Sequence, residues 1–398
     1  MRRLSLVIGG LLALCALGYL GFSAFGRTTY SAASAPALAA LVPPVVHQAT
    51  PSPVKAIYMT ACVAASPARR AQLVKLIGET ELNSVVIDIK DYSGYLSFVP
   101  ENPILKHLAS SNCTAKDMKE FLAHLHKNNI YVIGRITVFQ DPVLTKKRPD
   151  LAVKKKSDGT MWKDYKGLSF TDPGSKEVWD YIIAIAQESY AIGFDELNFD
   201  YIRFPSDGPM SDIAFSWSEG REKSEVLEDF FIYLAMQLKP TGATISADLF
   251  GMTTTNYDDL NIGQVLEKAA PHFDYISPMV YPSHYPPRFN GWANPNEHVY
   301  DVVKFSMDSA VKRFLATTTK AALTGEEPLS TTTKPFLYRK ETFPIQKLRP
   351  WLQDFDYGGN YDIPEVKAQM QAVYDAGLTS WMLWAPSNVY TRGALLSE

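Results

Sequence analysis

SKEVWDYIIAIAQESYAIGFDELNFDYIRFP, residues 175–205, sets a helix beside a strand. The first part opens on Ser175 and closes on Gly193, the residue types that start and stop helices. ELNFDYI (196–202) follows as a short run with strand character. In a strand, residues two apart share a face, so Glu196, Asn198 and Asp200 line one side and Arg203 lies just beyond. A plain core strand would hold Val or Ile there. This one carries polar groups toward its C-terminal end.

The same unit recurs on both sides. Strands are predicted at 55–60, 84–90, 131–139, 196–202, 244–250, 275–281, 348–355 and 380–386. Helical stretches fall at 68–82, 115–129, 175–193, 225–239 and 363–377. Strand–helix alternation implies a parallel sheet with right-handed crossovers. Eight strands in about 340 residues predict an α/β fold, a (β/α)8 TIM barrel, with its site at the C-terminal strand ends. The doubly wound open sheet is the alternative, but TACVAAS after the first strand is no Gly-rich phosphate loop. Residues 315–344 read as a long surface insertion.

Composition narrows the class. Of 398 residues, 46% are apolar and 20% charged, which excludes a disordered chain. The net charge of −3 shows no basic excess, so no nucleic-acid partner is expected. Three cysteines exclude a disulfide framework and a Cys-rich zinc module. Residues 4–26 are uncharged and apolar, behind Arg2 and Arg3. A span needs about 20 apolar residues, so residues 1–26 read as a signal anchor, with a cleaved signal peptide as the alternative. Arg2 and Arg3 keep the N-terminus cytoplasmic, which places the rest in the periplasm or outside the cell. Residues 27–53 read as a flexible Ala/Pro-rich linker, and 54–398 as the barrel.

Polar residues at strand ends define the candidate site. They are Asp88 and Lys90, Arg135, Asp200 and Arg203, Asp248, Tyr281, Gln353, and Trp384 at the end of the eighth strand. No Gly-x-Ser-x-Gly elbow occurs, and the histidines form no metal-ligand group on strands, so no metal or cofactor is expected. The carboxylates remain. Two carboxyl groups flanking a bond, one ionised and one protonated, are the machinery of glycoside hydrolysis. Asp200 and Asp248 sit on adjacent strands; Lys90, Arg135 and Arg203 are cations able to keep Asp200 charged. Asp88 is the competitor for the acid, and Glu196 lies too deep. Tyr201, Phe250, Tyr281, Trp351 and Trp384 suit stacking on sugar rings, and His284 sits at a loop mouth. Residues 146–166 carry eight Lys/Arg against three Asp, a basic loop suited to an anionic glycan, phospholipid heads or plain solvent.

GFDELNFDYIRFPSDG (193–208) resembles the fourth-strand signature of a bacterial family of "putative glycoside-hydrolase-like TIM-barrel domains". YVIGRITVFQDPVL (131–144), ISADLFGMTT (245–254), ISPMVYPSHY (276–285), RPWLQDF (349–355) and WMLWAPSNVY (381–390) agree in order. The resemblance covers about residues 54–395. It implies a barrel acting on a polysaccharide or oligosaccharide and puts Asp200 at the nucleophile position of α-amylase-like barrels. Those enzymes have a Glu as acid after the fifth strand, where this chain has Asp248. The reading is a glycosidase, retaining or inverting left open. Its rival is a non-catalytic carbohydrate-binding barrel of an envelope assembly. Cys62 and Cys113 fall on the same barrel end, and an oxidising compartment would allow them to bridge.

Overall fold

The structure, a computed structural model, describes residues 30, 45–109 and 112–397. The apolar run 4–26 lies outside them. Among the described residues, no helix is long and apolar enough to cross a membrane.

Eight strands close into a parallel barrel in sequence order. They are β1 (Lys55–Met59), β2 (Ser84–Lys90), β3 (Tyr131–Thr137), β4 (Glu196–Asp200), β5 (Thr244–Phe250), β6 (Tyr275–Met279), β7 (Trp351–Gln353) and β8 (Trp381–Trp384). Each of the first seven leads to a helix: α1 (Pro67–Gly78), α2 (Met118–Lys127), α3 (Lys176–Ile192), α4 (Lys223–Leu238), α5 (Leu266–Ala269), α6 (Val299–Leu315) and α7 (Ile363–Asp375). Local chemistry sets their ends. Pro67 starts α1, where a missing N–H costs nothing. Asp362 and Glu365 form a reciprocal capping box on α7. Gly193 ends α3 at φ 122°, a conformation natural only to glycine.

Strand alternation divides the core in two. Val85, Ile87 and Ile89 of β2 face outward and pack under the helices. Val86 faces inward with Ala56, Tyr58, Tyr131, Ile133, Trp351 and Met382. Gly134 on β3 is required by close packing: a Cβ there would lie 2.2 Å from Ile89 Cδ1 and 2.7 Å from Phe194 Cδ1. Deep in the barrel, Glu196 pairs with Arg349 and accepts from Ser246 Oγ (2.6 Å) and Tyr131 Oη (3.1 Å). Burying this carboxylate is tolerable because its oxygens are satisfied.

The long connection from α6 to β7 holds one two-residue strand pair, Thr318–Thr319 with Tyr338–Arg339. It is an α-to-β connection, so it lies at the end of the barrel opposite the candidate site. Residues 45–53, given to the linker by sequence, rest on that same end. Gln48 N donates to Asp195 Oδ1 (2.8 Å), Thr50 Oγ1 bonds Tyr131 Oη (2.9 Å), and His47 stacks on Tyr190 at 3.9 Å.

Candidate active site

The C-terminal strand ends converge on Arg135. Parallel pairing sets Asp88 beside Arg135 and Asn198 between Arg135 and Ser246. All four carry inward-facing side chains. The Arg135 guanidinium donates through Nη1 to Asp88 Oδ1 (2.7 Å). Through Nε (3.0 Å) and Nη2 (2.5 Å) it donates to Asp200 Oδ2. Asp248 Oδ2 lies 3.8 Å from the same Nε. One buried cation thus meets three buried carboxyl groups.

The three differ in what else they touch. Asp88 also accepts from Tyr58 Oη at 2.5 Å, so both of its oxygens are engaged. Burial raises its pKa to about 6, against the lowering pull of Arg135 and Tyr58. Asp200 Oδ1 accepts from the Tyr201 backbone N at 2.5 Å, and Tyr201 takes φ 52°, uncommon for a bulky residue. Asp248 Oδ1 accepts from Asn198 Nδ2 and Trp351 Nε1, both at 2.8 Å. Its Oδ2 is buried and has no hydrogen-bond partner among the described residues. Burial pushes the Asp248 pKa up to about 8, the Asp200 charge adds to the rise, and Arg135 opposes it. Burial thus favours the protonated form of Asp248, whose Oδ2 faces Arg135 without a hydrogen bond.

Aromatic side chains wall this cluster. Tyr58 stacks on Trp384 with ring centroids 3.9 Å apart, and Trp384 meets Trp351 edge-on at 5.5 Å. The Arg135 guanidinium lies 4.9 Å from the Trp384 ring. Tyr281 packs buried among the inward side chains. Beyond Tyr201 opens a cavity of ≈ 380 Å³ lined by Tyr92, Gln140, Lys166, Arg203 and Asp207, among others.

A family model described as "Putative glycosyl hydrolase domain" matches residues 56–390. The chain belongs to this family. Among solved structures, a hypothetical protein from Ruminiclostridium thermocellum ATCC 27405 is 38% identical, with 48% of this chain and 96% of that one covered, at a TM-score of 0.43. The PgaB (BpsB) glycoside hydrolase domain from Bordetella bronchiseptica is 14% identical, with 84% and 94% covered and a TM-score of 0.57. That likeness is one of fold. A GH18 chitinase from Pseudoalteromonas aurantia is 13% identical, with 84% and 94% covered, at 0.47. No curated protein matches.

In this glycosyl hydrolase domain, the structure gathers Asp88, Arg135, Asp200, Asp248, Trp351 and Trp384 in one cluster and sets Tyr201 and Arg203 at the adjoining cavity. Two expected contacts lie elsewhere. Lys90 is fully buried behind the barrel wall, paired with Asp141 at 2.8 Å and donating to Thr137 O at 2.6 Å. The β2–β3 register shifts between Asp88 and Lys90, and this irregularity turns Lys90 away from the face that Asp88 occupies. It is not a cation for Asp200. Gln353 is also fully buried. It clamps loops, accepting from Ser283 Oγ (2.8 Å) and donating to Phe355 O (3.0 Å). His284 is exposed at the rim, 5.3 Å from the Tyr281 ring and 6.0 Å from Tyr357.

One participant escaped the sequence reading, and a second was seen there without its partner. Tyr58 joins Asp88 to the aromatic wall, and Asn198 orients Asp248. Alternation along β1 from Ala56 to Tyr58 was the available signal for the first. The second was visible as an inward polar residue, but its partner on β5 depends on register. The Cys62–Cys113 disulfide is present at the same end of the barrel.

Proposed function

We propose that this protein is an exported, membrane-anchored glycoside hydrolase that cleaves an envelope or extracellular polysaccharide, with Asp200 as nucleophile and Asp248 as acid. The observation that carries the reading is the unpartnered, buried Oδ2 of Asp248 beside an Asp200 held by Arg135. The Asp248 proton has no acceptor among the described residues. A glycosidic oxygen entering the cleft supplies one, and transfer releases the leaving sugar. Asp200 Oδ1, bonded only to the Tyr201 N–H, keeps a lone pair to attack the anomeric carbon. Arg135 supports the charged form of Asp200 that attack requires.

Both Oδ2 atoms contact one Nε, at 3.0 Å and 3.8 Å. This bounds their separation at about 7 Å. Retaining pairs stand about 5–5.5 Å apart and inverting pairs about 6.5–9.5 Å. The bound favours retention: a glycosyl–Asp200 ester forms, and water then releases the sugar with Asp248 as base. The Tyr58–Trp384 wall supports stacking on a pyranose. The family description supports the reaction class. The Cys62–Cys113 disulfide supports an oxidising compartment, and the run 4–26 supports an anchor with the barrel outside the cytoplasm.

A second reading has its own observation. Arg135 engages both Asp88 and Asp200, as in a cluster kept for structure, which suits a glycan-binding barrel without chemistry. The test is incubation of the full chain with a panel of envelope and extracellular glycans, products read by mass spectrometry. Released oligosaccharides with one added water per cut are expected. Binding of a glycan without any cleavage overturns the enzyme reading in favour of the binding barrel.

A further inference from the structure

Tyr30 is the first described residue, and it is buried. Its backbone N donates to Glu177 Oε1 at 3.2 Å, and its ring meets Tyr181 edge-on at 4.8 Å. Both partners stand in the first turns of α3. A barrel helix begins at the C-terminal end of the strand before it. Tyr181 Oη accordingly reaches Asp141, just past the end of β3, at 3.1 Å. Tyr30 is therefore socketed near the catalytic end of the barrel. Fifteen residues later the chain is at the opposite end, with Val45 against Gly193 and His47 on Tyr190 near the end of α3. The chain enters the barrel from its catalytic end.

The apolar run stops at Gly26, four residues before Tyr30. Four residues reach at most about 14 Å when fully extended. If 4–26 spans a bilayer, the socket cannot stand farther than that from the membrane surface. The loop after β3 lies at this same end. Its Lys146, Lys147, Lys156, Lys163 and Lys166 are exposed, and none has a carboxylate within 4.0 Å among the described residues. A cluster of lysines beside an anchor is attracted to anionic lipid, each worth about 1 kcal/mol near the surface.

We propose that the barrel stands with its catalytic end toward the bilayer, the 146–166 loop resting on anionic headgroups and Tyr30 fixing the orientation. This rests on the anchor reading above. It implies that the glycan acted on is presented at the membrane surface, within reach of a site a short tether away.

The experiment uses the full chain with Cys15→Ser, so that one added cysteine takes a fluorophore. Tyr165→Cys reports the basic loop and Ser330→Cys the opposite end. Both are reconstituted in phosphatidylglycerol vesicles with a headgroup quencher. Loss of most emission at 165 and little at 330 is expected, and Tyr30→Ala should abolish the difference while the protein still floats with the vesicles. In phosphatidylcholine alone, quenching at 165 should weaken. Failure to float at all overturns the anchor reading. Flotation with equal quenching at both sites, or more at 330, overturns the orientation alone. An unchanged pattern in Tyr30→Ala overturns the role of the socket. Equal quenching in both lipids overturns the lysine contact and leaves the loop to an anionic glycan.

Discussion

Asp248, the proposed acid, shows what a buried carboxyl group costs the fold. Its ordinary pKa of 3.8 is raised to about 8 in the folded chain, first by burial. Between those values the native protein holds a proton that the unfolded chain has released. The contribution of Asp248 to stability therefore falls as pH rises from about 4 to about 8. Asp248→Asn keeps the oxygen that accepts from Asn198 and Trp351 and removes the ionisation. Thermal melts should show the variant gaining on the wild type at pH 8 relative to pH 5, by roughly 2–4 °C per kcal/mol released. An equal difference at both values would show that residue 248 does not hold the proton. The same ionisation sets activity. Wild-type turnover should decline above about pH 8 as Asp248 loses its proton. The residual activity of Asp248→Asn, measured on substrates whose leaving group needs no protonation, should lack that decline. The type and position of this residue were legible in the sequence, because an Asp on a barrel strand among Ser246 and Phe250 stands out. The free Oδ2 was not: it depends on Asn198 and Trp351 arriving from two other strands.

At the scale of elements, strand periodicity read all eight strands correctly and failed at one irregularity. Counting by twos from Asp88 puts Lys90 in the cleft. The register shift between them puts it behind the wall with Asp141. A bulge leaves no fixed mark in a single sequence, so this error was built into the rule. The distinction is measurable. Lys90→Met leaves a buried Asp141 carboxylate without its cation, a loss that commonly costs about 3–5 kcal/mol. Urea unfolding should show that loss, while turnover of the folded fraction at low temperature stays within about threefold of wild type. A normal unfolding midpoint with a large rise in KM would return Lys90 to the substrate. Gln353 makes the same point: an inward polar residue at a strand end is as readily a loop clamp as a ligand contact.

Across the whole molecule, the alternation of strands and helices determined the barrel, and the end that carries the candidate site followed from its topology. What the sequence left open was tertiary pairing across long separations. The Cys62–Cys113 bridge spans 51 residues. Loops of that size give about 4 kcal/mol in the chain-entropy account and typically 2–4 in practice. Cys62→Ser with Cys113→Ser should lower stability by that amount, read by denaturant unfolding, with the strand-end cluster intact. An undiminished midpoint would mean the bridge adds nothing to this fold. The proposed function has Asp200 attack and Asp248 donate in one cleft. The most direct measurement is the turnover of Asp200→Asn beside wild type, on the first glycan that the wild-type chain is found to cleave. The account predicts a fall of about three orders of magnitude or more in kcat with glycan binding nearly unchanged. Wild-type turnover by Asp200→Asn would contradict it.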